Sequence, residues 1–200
     1  MSATCPVVIV GVGGQGVISL ARVLGLAAVT AGLEARVGQI YGLSQRGGSV
    51  EATVRFGEGS TTFIAQGEAE VIVGLEPIEA ERAISKMSSD ATVLINKTPI
   101  VPIGLTRSGE AYPTLSSIVS RIDDIAGRVH LVDGTTLALE AGDTKLLNTV
   151  MIGVLAGSDL LPIPADHLEA AVDRANPGGR LEASRRAFRL GQQLGEVACR

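Results

Sequence analysis

The sequence predicts an α/β protein, a three-layer Rossmann-like and mostly parallel sheet with an antiparallel hairpin and a helical C-terminal part. Three observations carry this expectation. Short β-branched runs bounded by glycine alternate with longer segments whose apolar residues recur at helical spacing. Hydrophobic residues make up 46% of the chain and aromatics only 2%, so the core is built from Val, Ile, Leu and Ala. Twenty-five glycines are scattered without a period, as many tight turns require. At 200 residues the chain is long enough to bury a full core, and no linker or repeat divides it, so residues 1–200 read as one domain.

The elements follow in order. "PVVIV" (6–10) is a short buried strand, and Gly11 to Gly16 form a turn. Helical spacing runs from Gln15 to Ala31, with Gly32 as its C-terminal stop. "EARVGQI" is the second strand. "SVEATVRFG" alternates Val50, Ala52, Val54 and Phe56 against Glu51, Thr53 and Arg55, the period of a half-exposed strand. "GEGS" reads as a hairpin turn into "TTFIA", placing an antiparallel pair at the sheet edge. "AEVIVGLEP" and "ATVLINK" are further buried strands, separated by a helix over 77–87 that starts on Pro77. The Pro- and Gly-punctuated region 98–113 is an irregular excursion or a small hairpin. A helix over 115–126, the strand "RVHLVD", and helices over 135–141, 144–156, 165–174 and 180–198 complete the chain.

Composition excludes several functions. The formal charge is −4 and no long basic run occurs, which disfavours nucleic acid as a partner. Cys5 and Cys199 lie at opposite ends, so the chain by itself cannot hold a four-cysteine zinc or iron–sulfur centre. His130 and His167 stand without a cysteine or histidine cluster and are read as structural. The apolar run after the N-terminus ends in glycine, and longer apolar segments are broken by Arg22 or Asp159. The expectation is a cytoplasmic protein without a membrane span.

"VIVGVGGQG" fits G-x-G-x-x-G as Gly11, Gly13 and Gly16, with a strand before and a helix after. Such glycines, with Gly14 and Gln15 between them, let an anion approach the free amides of the helix's first turn. They would equally serve close strand–helix packing. A dinucleotide site also needs an acid at the end of the second strand. Glu34 falls at the wrong end, and the strand instead runs out into Gln39, Ile40 and Tyr41. That argues against a stand-alone NAD(P)-dependent oxidoreductase, which remains the alternative reading together with a purely structural or interaction subunit.

"VGVGGQGV", "IYGLSQRGGSVEATVRFG", "AEVIVGLEP", "NTVMIGVLAGSDLLPIP" and "NPGGRLEASRRAFRLGQQL" together resemble the gamma-type domain of 2-oxoacid:ferredoxin oxidoreductases. The similarity spans nearly the whole chain and is greatest to the small-subunit branch of indolepyruvate ferredoxin oxidoreductases. That branch commonly has His where this chain has Tyr41. The resemblance implies oxidative decarboxylation of a 2-oxoacid to an acyl-CoA, with electrons passed to ferredoxin. It implies thiamine diphosphate, Mg and Fe–S clusters on a large (alpha) partner subunit and none bound by this chain alone, with CoA as a possible co-substrate.

The candidate ligand-binding residues are therefore Gly11, Gly13, Gly14, Gln15 and Gly16 in the first loop, and Tyr41, Gln45, Arg46, Gly47, Gly48 and Ser49 in the second. Arg46 could grip a CoA phosphate or a partner-subunit carboxylate bidentately, or tie its own loop. Tyr41 could stack on substrate or cap the sheet edge. Asn148, in an apolar helix, needs a partner and could brace a loop or line an interface. Glu76 and Glu79 flank Pro77 at a helix start, where the dipole alone favours acids.

Overall fold

The computed structural model describes residues 4–41, 48–58, 61–101 and 111–198. Six strands form one sheet: β1 Cys5–Val12, β2 Ala35–Tyr41, β3 Ser49–Phe56, β4 Ala69–Gly74, β5 Met87–Asn96 and β6 Arg128–Val132. Their spatial order is β2-β3-β1-β4-β5-β6. β1, β4, β5 and β6 run parallel, whereas β3 is antiparallel to both neighbours, β1 and β2. The strand begun by "PVVIV" is central, as expected: Val7, Val8 and Ile9 have no exposed surface.

One face carries α1 Val17–Thr30, α4 Gly134–Ala141, α5 Leu147–Gly157, α6 Ala165–Ala175 and α7 Leu181–Ala198. The other carries α2 Pro77–Arg82 and α3 Leu115–Asp123. Alternate residues of β1 feed the two cores: Val7 and Ile9 the first, Val8 and Val10 the second. Gly32 ends α1 at φ 70°, and Leu33 N donates to Ala28 O at 2.9 Å, a left-handed stop that glycine adopts without strain. Pro77 opens α2, where Glu76 accepts from Glu79 N at 3.1 Å.

Four expectations are corrected. "TTFIA" is not a strand; residues 61–65 have no regular structure and cross over the sheet as a strap. β3 does not join the sheet edge but is inserted between β1 and β2. Nor is it half exposed, because the strap covers its polar face. Thr53 Oγ1 donates to Thr62 O at 2.8 Å, and Arg55 Nη2 donates to Phe63 O at 2.8 Å. The strap's Ile64 is buried in the second core. Alternation of charge with apolar side chains looks the same whether water or a backbone strap satisfies the polar side. The helix expected over 77–87 stops at Arg82, then a 3₁₀ turn at Ile84–Lys86 leads into β5.

Arg55 is 6% exposed, and its Nη1 lies 2.7 Å from Glu68 Oε1. Hydrogen bonding from Arg55, then from the Ala65 amide, holds the Glu68 carboxyl below its usual range. A depressed carboxyl contributes stability that is present above its unfolded value, about 4.3, and lost as pH falls through the lower folded value. Glu68→Gln is expected to flatten the acid limb of a stability-versus-pH curve below that value, measured by urea unfolding.

The C-terminal layer depends on backbone approach. Gly153 and Gly157 on α5 face Gly191 and Gly195 on α7, each pair one turn apart. A Cβ on Gly153 would lie 2.1 Å from Phe188 O, and one on Gly191 would lie 2.1 Å from Val150 O. Four small residues thus let two helices pack at backbone contact. Alanine would add helix propensity of about 1 kcal/mol, yet the contact is with rigid backbone, and overpacking costs about 1–3 kcal/mol or more. Gly153→Ala and Gly191→Ala are expected to lower the urea midpoint. Gly179→Ala, with open space around it, should not.

Candidate functional site

The loop Gly13–Gly16 leaves the C-terminal end of β1 and enters α1 through Gly16, at φ 88°. No side chain caps α1, and no acid sits in its first turn, so the helix's positive end is open. Gly14, at φ 104°, is exposed and faces open space.

Gln15 does not point to a ligand. Its Oε1 accepts from Val12 N and its Nε2 donates to Leu75 O, both at 2.8 Å. The amide thereby bridges the ends of β1 and β4, the point where crossovers diverge to opposite faces. Asn96 at the end of β5 joins in, its Nδ2 reaching Leu75 O and Thr135 Oγ1 at 3.1 Å each. Gly11 packs under this amide, where a Cβ would come 2.8 Å from Gln15 Oε1 and 3.1 Å from Leu75 Cβ. At Gly11 close packing decides the residue; at Gly14 and Gly16 backbone conformation does.

The glycine loop meets the residues that lead into β3. β1 and β2 are not adjacent, because β3 lies between them. Their C-terminal ends nonetheless share one sheet edge with the start of β3: Val12 is in register with Ser49, and Tyr41 with Val50. Gly13 N donates to Gly48 O at 2.9 Å, tying the first loop to the end of the second. Ser49 is exposed and Gly48 half-buried. Gln45, Arg46 and Gly47 lie outside the described residues, as does the side chain of Tyr41.

Two cavities flank the glycine loop. One of about 330 Å³ lies over the sheet edge between the loop, Asn96 and Thr135. The other, a groove of about 490 Å³, opens on the helical side between α1 and α5. Lys145 lines both. Asn148 braces the loop: a Cβ on Gly16 would lie 3.1 Å from its Nδ2. Lys145, Arg180 and Asn96 drew no notice in the sequence, and Arg22 only as a break in an apolar run. Asn96, an amide closing an apolar strand, carried a usable signal; the three cations, far apart in the chain, carried none.

The remaining candidates have structural partners. Glu76, fully buried, caps α2 with Oε2, while Oε1 accepts from the Tyr112 hydroxyl and from Ile100 N at 3.2 Å. One carboxylate so clasps both ends of the 98–113 excursion. Burial, then this carboxylate, raises the Tyr112 phenol above its ordinary range. Glu79 pairs with Arg82 at 2.6 Å. Burial pushes the Cys5 thiol up to about 12, which makes it a poor nucleophile. His130 lies on β6 and His167 on α6; among the described residues no group of three or more His, Cys, Asp or Glu side chains is placed to hold a metal. Among them, no helix is long and apolar enough to cross a membrane.

A mixed sheet with a central glycine-looped strand and an antiparallel insertion defines an α/β fold, and the comparisons with known proteins give its family. The chain belongs to the pyruvate ferredoxin/flavodoxin oxidoreductase family, whose model matches residues 6–194. It is 37% identical over 181 residues to the indolepyruvate oxidoreductase subunit IorB of Methanothermobacter thermautotrophicus, covering 90% of this chain and 92% of that protein. Against IorB of Thermococcus kodakarensis the identity is also 37%, over 92% of this chain and 93% of that one. The gamma subunit of a keto/oxoacid ferredoxin oxidoreductase from Geobacter sulfurreducens shares the fold at a TM-score of 0.70 and 19% identity, covering 97% and 99% of the two chains.

The Gln15 latch is testable. Gln15→Met keeps the volume and removes both hydrogen bonds, leaving the Val12 amide without this partner. The expected loss is about 1–3 kcal/mol in urea unfolding.

Proposed function

We propose that this chain is the small subunit of an indolepyruvate-type 2-oxoacid:ferredoxin oxidoreductase. The observation that carries the reading is the correspondence with IorB subunits over more than nine-tenths of their length at 37% identity. The reaction would be oxidative decarboxylation of an arylpyruvate to its acyl-CoA, with ferredoxin as electron acceptor. Thiamine diphosphate with Mg, and Fe–S clusters, would supply the decarboxylation and electron transfer from a large partner subunit. With two cysteines in its sequence, Cys5 and Cys199 at opposite ends, this chain by itself offers no four-cysteine set for a cluster.

What this chain contributes is a shaped surface at the C-terminal edge of its sheet. The glycine loop is tied there to Gly48, just before β3, by the Gly13–Gly48 hydrogen bond. Within this reading, Arg46 beside Gln45 and Ser49 adds a guanidinium for a CoA phosphate or a partner carboxylate. Cytoplasmic placement belongs to the same proposal.

The test is co-expression with a candidate large subunit and measurement of viologen reduction by indolepyruvate and CoA. Activity is expected from the complex and none from either chain alone; turnover by this chain alone overturns the reading. Arg46→Ala is expected to weaken CoA use or subunit association about ten-fold, since 1.4 kcal/mol is one decade. A lowered melting temperature with both intact would make Arg46 a structural residue.

A further inference from the structure

β6 ends the sheet as an edge strand, paired with β5 alone among the described residues. Edges offer unpaired backbone groups to other strands, so they are usually blunted by a proline, a lysine or a bulge. β6 has none of these. Its sequence is Arg-Val-His-Leu-Val, and its pairing with β5 runs from Thr92–Arg128 to Asn96–Val132 without a register shift. Exposed apolar side chains lie along the same stretch of chain. Ile125 is in the turn before the strand, Leu131 within it and Leu139 on α4 after it.

One hydrogen bond fixes which backbone groups point outward. Lys97 N donates to Val132 O at 2.9 Å, so Val132 turns its polar backbone toward β5. Alternation turns Arg128 and His130 the same way, and leaves the N–H and C=O of Val129 and Leu131 directed off the sheet. Two copies of β6 meeting antiparallel about a two-fold axis at His130 bring those groups into match. Val129 then faces Leu131 of the second copy, and Leu131 faces its Val129. Each such pair exchanges two hydrogen bonds. Their side chains share the face of Val93 and Ile95, which belong to the second core. Leu131, 37% exposed, is thereby covered by a valine that already packs on that core. The same register sets opposite charges together at both ends. Arg128 falls opposite Val132 of the second copy, one residue from its Asp133. Both charges are exposed, and neither side chain has an ion pair or hydrogen bond among the described residues. Arg121 on α3 is by contrast held by Glu81.

We propose that β6 pairs with β6 of a second copy of this chain, joining two six-stranded sheets into one across a two-fold axis at His130. Self-complementarity selects a second copy as the occupant. A strand from an unlike partner has no reason to match Val129 with Leu131 twice and Arg128 with Asp133 twice. The opposite edge offers no such match, since a two-fold axis at Gly38, the middle of β2, sets Arg36 against Ile40. The inference stands on the edge strand and does not require the indolepyruvate reading.

The test is sedimentation equilibrium of the purified full chain. It is expected to behave as a dimer, twice its 20.5 kDa. Leu131→Pro removes an N–H that points away from β5, so the ladder within the chain is kept. It is expected to weaken the dimer about ten-fold or more, with circular dichroism and the urea midpoint unchanged. Charge exchange decides if the proline disturbs the strand. Arg128→Asp is expected to weaken the dimer about ten-fold, because it sets like charges together across the axis. Adding Asp133→Arg should restore it. Arg36→Asp, on the opposite edge, should leave it unchanged. A monomer at every concentration overturns the proposal. So does a dimer indifferent to Leu131→Pro and Arg128→Asp, or one weakened by Arg128→Asp that the folded double exchange does not restore. Failure of viologen reduction with every 2-oxoacid would reject the activity reading and leave this one standing.

Discussion

The structure depends on β3 lying antiparallel between β1 and β2. In a dinucleotide-binding sheet the strand beside β1 runs parallel and delivers an acid from its C-terminal end to the ribose. Here that neighbour runs the other way and presents its start, Ser49, at the same edge. β2 is displaced by one strand, about 4.8 Å. The glycine loop therefore has Gly48 and the start of β3 beside it.

The insertion has costs that other parts of the chain absorb. The strap covers the polar face of β3 and shuts Thr53 and Arg55 off from water, so it supplies carbonyls to both while Glu68 supplies a charge. At the mouth of the sheet, Leu75 O accepts from both Gln15 and Asn96, which joins the ends of β1, β4 and β5. On the helical face, glycine contacts bring α5 and α7 to backbone distance, and α5 in turn brings Asn148 against Gly16. The groove wall is therefore set by packing remote from the loop it serves.

Much of this was legible in the sequence. Short apolar runs located β1, β4 and β5, because strands buried on both faces read that way. Caps at Gly32 and Pro77 act locally and were found. The place of β3 was not legible, since alternation reports two environments without saying what fills the polar one. "TTFIA" has strand propensity, yet its carbonyls are used by Thr53 and Arg55 side chains rather than by a ladder. In the site, the glycine loop was evident, but Gln15 turning inward depends on Leu75, sixty residues away. Lys145 and Arg180 come to line the groove beside the loop through the packing of segments distant in sequence.

β3 and the Gln15 latch together remove the dinucleotide site that the glycine motif suggests. The chain has no tryptophan, so nicotinamide fluorescence can be read without tryptophan energy transfer from this subunit. Titration of NADH and NADPH into the purified chain, followed by that fluorescence, is the direct measurement. The account predicts no saturable enhancement for either coenzyme. Saturable enhancement abolished by Gly14→Val would contradict it and return the chain to the stand-alone dehydrogenases.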